Sequence, residues 1–345
     1  MFMVTVAVIE GDGIGPEVVG ATLKVLEKIR ETFKLPLEFV FVEAGDRAKE
    51  KYGEALPKES YERLLRADAI LKGPVGETAA DVIVRLRREL DLFANIRPAK
   101  VLPGVPALKE NVDLIIVREN IEDLYVGAEN LLPQTSLGHK VAVGLRLASE
   151  RETRRVAKVA AEYAKARRNK VTIVHKANVM RVTCGLFRDV AKEVLEAEGV
   201  EVDEMYVDAA AMELVRRPER FDVMLTPNVF GDILSDLAAQ VVGSLGLAPS
   251  GNIGEERALF EPVHGAAFDI AGKGIANPTA TMLAASMMLE WLERKKGLPK
   301  GAEAAAALQR AIEKALSEGV KTPDLGGNYG TFEFAEEVVK RLQLP

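Results

Sequence analysis

An α/β fold built on a largely parallel sheet and divided between two domains is what this sequence predicts. Three observations carry the prediction. Apolar runs of strand length alternate along the chain with amphipathic stretches of helical period, the pattern of successive βαβ units. With 345 residues the chain outgrows a single core, so two domains are expected. No internal repeat interrupts a composition, 48% apolar and 28% charged, that is ordinary for a soluble globular protein.

Taken in order, the first strand is VTVAVI. The apolar start that contains it, MFMVTVAVI, lacks a basic leader and runs directly into Glu10 and Gly11, which argues for a strand and against a signal peptide. A helix follows from Pro16 to about Arg30, then the strand LEFVFVEA, a helix near Tyr61 and the strand ADAILKG. VDLIIVREN reads as a buried strand whose end delivers Arg118, Glu119 and Asn120. Ser149 with Glu152 forms a capping box ahead of the periodic helix RETRRVAKVAAEYAKARR. The strand VTIVHKAN, the helix LFRDVAKEVLEAEG and the strand VEVDEMYVD come next, and the strand RFDVMLTPN leads into GDILSDLAAQVVGSLG. From Leu245 to Pro278 proline and glycine concentrate and periodicity fades; a loop that long in a compact protein is usually functional. Pro278 then starts the helix TATMLAASMMLEWLERK, and two more helical patterns finish the chain.

Several function classes drop out. A net charge of −6, with no basic tract longer than three residues, argues against nucleic-acid binding. The longest apolar stretch, ATMLAASMML, is too short to span a bilayer. The single Cys184 leaves no internal disulfide and no cysteine-cluster zinc site; it reads as a buried small residue and fits a reducing, cytoplasmic setting. The turn Gly11-Asp12-Gly13-Ile14-Gly15-Pro16-Glu17 looks like a dinucleotide fingerprint, but G-x-G-x-x-G needs glycine at 16 or 18, where Pro16 and Val18 stand. It is not a Rossmann cradle.

Chemistry concentrates elsewhere. With a helix beginning near Gly231, Asp232 and Asp236 lie one turn apart on one face and can share a hard divalent cation, while Ile233, Leu234 and Leu237 point away and pack. The plainer reading is a pair of first-turn acids complementing the helix dipole. Asp208, between a strand and a helix, reads as an N-cap. Lys176 ends an apolar strand, where lysines usually snorkel to solvent; beside a metal it becomes a neutral base. His175 alternates to the other side and reads as structural, and Tyr125 as an interface aromatic or a proton donor. The forked guanidinium groups of Arg87, Arg97 and Arg118 suit a substrate with several carboxylates, although Arg85 and Arg88 flank Arg87 and suggest a solvated face there.

The stretches EGDGIGPEV, LDLFANIRPAK, VRENIEDLYVG, HKANV, NVFGDILSDLAA, GLAPSGNIG, EPVHGAAFDIAGKGIANPTA and TPDLGG, in that order and almost end to end, resemble the β-decarboxylating dehydrogenases of isocitrate, 3-isopropylmalate and homoisocitrate. The resemblance implies an open, two-domain isopropylmalate/isocitrate dehydrogenase-like α/β fold, not a Rossmann fold. Residues 1–95 and 246–345 would form a cofactor-binding domain from both chain ends, and 96–245 a central substrate, metal and dimerisation domain.

It also implies roles. Arg87, Arg97 and Arg118 would clamp the malate carboxylates, with Asn178, Ile83 and Val84 also at the substrate. Asp232 and Asp236 would hold Mg²⁺ or Mn²⁺ in one subunit, with Asp208 and the proton-accepting Lys176 reaching in from the other; Tyr125 would protonate C3. The active site would then need an obligate homodimer. EGDGIGPE, with Ile14, becomes a turn near the nicotinamide, and His264, Gly265, Asp269 and Asn277 hold the adenosine end. The Asp269 carboxylate would accept both ribose hydroxyls and repel a 2′-phosphate, which implies NAD; Phe268 stands where proline is common in the family.

For the substrate, two segments pull apart. The apolar pair Ile83-Val84 suits the isopropyl group, whereas RENIEDLY resembles the isocitrate and homoisocitrate members, and Arg85 stands near where some homoisocitrate members carry a recognising arginine. The expectation is one enzyme for homoisocitrate and 3-isopropylmalate that also accepts isocitrate, with a dedicated 3-isopropylmalate or isocitrate dehydrogenase as the alternative. A non-catalytic regulatory subunit would lack the metal acids, the lysine or the tyrosine, and all are present here.

Overall fold

The computed structural model describes residues 3–132 and 139–342; Met1 and Phe2 of the apolar start lie outside them. Among the described residues the strands are β1 (Val4–Ile9), β2 (Leu37–Phe41), β3 (Ala69–Lys72), β4 (Ala94–Lys100), β5 (Asp113–Glu119), β6 (Glu129–Leu132), β7 (Val141–Gly144), β8 (Lys170–His175), β9 (Glu201–Tyr206), β10 (Val223–Thr226), β11 (Pro249–Ile253) and β12 (Ala258–Pro262). The architecture is mixed α/β and mostly parallel, as the alternation predicts. The chain separates into two compact units, one of Met1–Leu92, Arg97–Val112 and Ala239–Pro345, the other of Phe93–Ile96 and Asp113–Ala238.

In the larger unit the strand order is β2-β1-β3-β12-β11. β1 pairs in parallel with β2 and β3, β12 in parallel with β3, and β11 antiparallel with β12. β1 is buried along nearly its whole length, which is why its sequence is a continuous apolar run without alternation. The helix Gly15–Phe33 carries Pro16 in its first turn, where a fixed φ and a missing N–H cost nothing, and buries Val18, Thr22, Val25, Leu26 and Ile29 along one stripe. The helix Thr279–Lys296 packs on β11 and β12 and starts after Pro278 as predicted. The Leu245–Pro278 segment differs from its prediction as one long loop, because it contains the β11–β12 hairpin. PSGNI and ALFEP are buried on both sides, so no alternation betrays them.

In the smaller unit β5, β10, β8 and β9 follow one another in parallel pairs. β6 and β7 form a separate antiparallel hairpin whose Leu131, Leu132, Val141 and Val143 are exposed. Ser149 does cap the helix Glu150–Lys165, accepting the Glu152 N–H at 3.2 Å. The returning half of the predicted box comes from another residue: the Ser149 N–H donates to Glu122 at 2.8 Å, while the Glu152 carboxylate turns to Arg155 at 2.9 Å. The helix bearing Asp232 and Asp236 begins at Asn228, one turn earlier than expected. Leu234 is buried as predicted, but Ile233 is 64% exposed.

Candidate active site

The opening motif is a staple. Gly13 sits at φ +57°, and a Cβ there would fall 1.9 Å from the Ala266 carbonyl oxygen, so the turn tolerates only glycine. The buried Asp12 carboxylate accepts the backbone N–H groups of Asp46 (2.9 Å), Gly76 (3.1 Å) and Arg47 (3.3 Å). The Ile14 N–H donates to Ala266 O at 2.8 Å, and the Glu17 carboxylate accepts the N–H groups of Gly272 and, at 2.9 Å, Gly274. Acidic side chains, not a phosphate, thus occupy the donors around this turn, and they hold down the segment that carries His264, Gly265 and Asp269.

Along that segment Gly265, Phe268 and Asp269 are exposed. Asn277 is buried, accepts the Thr279 N–H at 3.0 Å and donates to Asp324 at 3.1 Å. Burial pushes the His264 imidazole below its ordinary range, leaving it neutral at physiological pH. Its Nδ1 meets Gly265 O at 3.0 Å, and its Nε2 is buried with no hydrogen-bond partner.

Arg87 corrects the flanking argument. It is 6% exposed and does not lie on a solvated face, because residues one or two apart in a helix point in different directions. A π-helical turn, Ala80–Val84, precedes the short helix Arg85–Glu89 that carries it. Arg87 Nε donates to Asn252 at 2.9 Å, and its Nη2 stands 3.5 Å from Glu261. Asn252 donates in turn to Glu261 at 2.9 Å, and the buried Lys72 pairs with the same carboxylate at 2.7 Å. Burial alone would raise the Glu261 carboxyl, but Lys72 and Arg87 override it and hold it at about 2. On the π-helical turn Ile83 packs against the core, while Val84 lines an open cavity of about 1010 Å³ together with Ala80, Leu56, Arg85 and Arg88. Arg85 donates to Glu89 at 2.9 Å and lies over the Tyr61 ring. Arg97, on β4, is buried.

The smaller unit gathers a second cluster. Arg118, at the end of β5, is 1% exposed; its Nε and Nη2 donate to Asn228 Oδ1 at 2.9 and 2.7 Å, and its Nη1 pairs with Asp232. The Tyr125 hydroxyl donates to the other oxygen of Asp232, and the Arg118 guanidinium lies 5.0 Å from the tyrosine ring centre. Burial raises the Tyr125 hydroxyl above its ordinary range, and the bond to Asp232 adds to this. Gly231 allows the arginine so close, since a Cβ there would meet Arg118 Cβ and Cγ at 2.7 Å. Asp236 is exposed one turn on.

Lys176 donates to Asp208 at 2.7 Å, which holds that carboxyl below its usual range. Asp208 is not an N-cap: Tyr206 takes the cap position of the helix Val207–Arg216, and no side chain caps it. Asn178, two residues past Lys176, is exposed. Among the described residues of one chain, no three acidic, histidine or cysteine side chains converge as a metal cage. Sequence reasoning missed Asn228, Asn252 and Glu261, which orient the arginines. Asn228 opens the very motif that carries Asp232, and its place at a helix start was the available signal.

The family model for isocitrate/isopropylmalate dehydrogenases matches residues 5–338. A 3-isopropylmalate dehydrogenase of Sulfurisphaera tokodaii is 54% identical, covering 98% of this chain and 99% of that protein. An isocitrate/homoisocitrate dehydrogenase of Thermus thermophilus is 48% identical, with 98% of each covered. The crystal structure of isocitrate dehydrogenase from Methylococcus capsulatus matches with a TM-score of 0.91 at 39% identity, over 99% of this chain and 100% of that one. Fold and likeness together define a decarboxylating dehydrogenase of malate-type substrates. The chain belongs to the isocitrate/isopropylmalate dehydrogenase family. Among its described residues, no helix is long and apolar enough to cross a membrane.

Proposed function

We propose that the protein is a homodimeric enzyme that uses NAD to oxidise and decarboxylate C3-substituted malates, taking 3-isopropylmalate and homoisocitrate and accepting isocitrate. The observation that carries this reading is the meeting of Arg118 and Tyr125 on Asp232, a carboxylate on the first turns of a helix with Asp236 one turn further on. Hard oxygen donors so spaced suit Mg²⁺ or Mn²⁺, and Asp208 of a second chain would complete the set. That ion would supply Lewis acidity at the C2 oxygen and NAD would take the hydride. The neutral His264, with its unpartnered Nε2, suits the adenine of a dinucleotide, and the exposed Asp269 suits ribose hydroxyls.

The chain's own residues do the rest. Arg87, Arg97 and Arg118 bind the carboxylates, Arg87 oriented by Asn252 and Glu261 and Arg118 by Asn228. Lys176 takes the proton from the C2 hydroxyl. Tyr125, kept protonated by its raised range, delivers one to C3 after the carboxylate leaves. Lys176 and Asp208 are paired in one chain, so they would enter the partner's site together. Exposed Val179, Val182, Met212, Val215 and Ile233, on the segments that carry Lys176, Asp208 and Asp232, suit burial against a second copy.

For substrate breadth, Val84 and Leu56 give an open cavity an apolar wall beside Arg85, and Lys49, Glu54, Asp81 and Glu89 line the rest of it. One methylene of apolar contact discriminates only about 10–200-fold, so such a wall need not be exclusive. The test is kcat/KM for 3-isopropylmalate, homoisocitrate and isocitrate with Mg²⁺ and either NAD or NADP. All three should turn over, with NAD strongly preferred. A preference beyond about a thousandfold for one acid would mean a dedicated enzyme, and equal use of both cofactors would refute the Asp269 reading.

A further inference from the structure

The geometry points to Asp123 as a positioning residue that bolts the Tyr125 turn to the helix bearing Asp232. This rests on Tyr125 being the proton donor proposed above. Asp123 is 2% exposed and sits at φ 64°, ψ −143°, a backbone region almost reserved for glycine. Such a residue persists only where its surroundings over-determine it, and here they do. Its N–H donates to Leu147 O at 3.0 Å and its carbonyl accepts the Leu147 N–H at 3.3 Å. Arg146 Nε lies 2.7 Å from one carboxylate oxygen; the other accepts Arg146 Nη2 at 3.1 Å and the Val229 N–H at 2.9 Å.

Val229 is the second residue of the helix Asn228–Val241, so its amide is one of the first-turn donors with no partner inside the helix. Two residues beyond Asp123, Tyr125 bonds Asp232 on that same helix. The segment 123–125 therefore grips the helix at two points about one turn apart. Arg146 reinforces the grip, since its guanidinium lies 4.7 Å from the Phe230 ring centre. A helix cap alone would need no strained backbone, because an aspartate in relaxed geometry caps equally well. What the left-handed conformation sets is the direction in which the Leu124–Val126 turn leaves, and so where the tyrosine hydroxyl stands.

Two variants separate the parts. Asp123→Gly adopts this backbone without strain but loses the carboxylate, and Asp123→Asn keeps the shape but not the charge. Each is assayed as the full-length enzyme with Mg²⁺, NAD and 3-isopropylmalate in D₂O, alongside Tyr125→Phe. The face from which deuterium enters C3 is read from product trapped by reduction. For Asp123→Gly, kcat should fall about 100-fold, the effect of misplacing a reacting group by about an ångström, with KM little changed. Asp123→Asn should lose less, and in the glycine variant deuterium should enter from both faces. One-sided labelling with wild-type kcat in Asp123→Gly overturns the assignment, as does a parallel loss of kcat, substrate affinity and thermal stability, which would mark a merely structural residue. If Tyr125→Phe itself keeps turnover and one-sided labelling, it is the proton-donor reading that fails. Independent of activity, amide exchange at Val229 and across 124–127 should quicken in Asp123→Gly while the rest of the chain is unchanged; unaltered exchange there also overturns it.

Discussion

Two glutamates show how differently this chain treats a buried acid. Glu261 of the larger unit and Glu119 of the smaller are 7% and 3% exposed, and both lie at strand ends beside an arginine, the first 3.5 Å from Arg87 and the second next to Arg118 in sequence. Yet Glu261 is held at about 2 and Glu119 is pushed up to about 8. Burial raises both. The difference is company: Glu261 faces Lys72 and Arg87, whereas Glu119 accepts two backbone N–H groups, from Ile121 at 2.7 Å and Glu122 at 3.0 Å, with Glu122 and Asp123 as acidic neighbours. At neutral pH one is a charged anchor for a guanidinium and the other a neutral brace for the turn leading to Asp123. The lesson is that burial announces a role for an acid, and its charged neighbours decide which role.

The sharpest way to break this contrast is the pH dependence of stability. The folded state raises the Glu119 carboxyl above its ordinary value of 4.5, so its contribution is fully present below pH 4.5 and is lost as pH rises through about 8. The loss should be on the order of 5 kcal/mol, the largest single effect expected here. Glu119→Gln keeps an oxygen for both N–H groups and cannot ionise. Urea unfolding between pH 5 and 9 should show the wild type weakening while the variant stays flat; parallel curves would mean that Glu119 is already ionised.

Glu261 should behave with the opposite sign. Its folded-state value lies below 4.5, so its contribution is present above pH 4.5 and disappears as pH falls toward about 2. Glu261→Gln should cost about 3 kcal/mol at pH 7, where Lys72 and Arg87 lose their shared carboxylate, and almost nothing at pH 2. The same variant should raise KM for the malate substrate, because Arg87 loses the Glu261 carboxylate beside it. A pH-independent loss would show that the glutamate acts through packing alone.

The sequence showed β1, β2, β3, β5, β8, β9, β10 and the long helices, because apolar period survives in one dimension, whereas β4, β6, β7, β11 and β12 went unread. Arg118, Tyr125 and Asp232 could be named, but the orienting partners could not. Asn252 and Glu261 lie on β11 and β12, where a hairpin buried on both faces leaves no alternation to read. Arg87 looked solvated because its sequence neighbours are charged, although helical geometry points residues two apart in different directions. Glu122 displaced Glu152 from the capping box through a contact between residues far apart in sequence, which no local motif encodes. Ile233 was expected to pack, and its exposure appears only once the chain is folded by itself.

The smallest expected effect tests how the second arginine is held. Arg118 has no buried glutamate behind it; Asn228, a half-exposed Asp232 and the bare backbone of Gly231 position it. Gly231→Ala would put a methyl group 2.3 Å from Thr226 Oγ1 and 2.7 Å from Arg118 Cβ and Cγ, with no flexible chain end to give way. Overpacking of this kind costs about 1–3 kcal/mol, and the strain should be relieved by moving the arginine away from the helix. Stability should therefore fall modestly while kcat/KM falls at least tenfold or so, since the guanidinium would leave its place between Asn228 and Asp232. Glu261→Gln should show the reverse balance, a larger loss of stability for a smaller loss of turnover, because there the arginine keeps Asn252. If both variants lose stability and activity in the same proportion, the two arginines are held by equivalent means and the contrast between the units collapses.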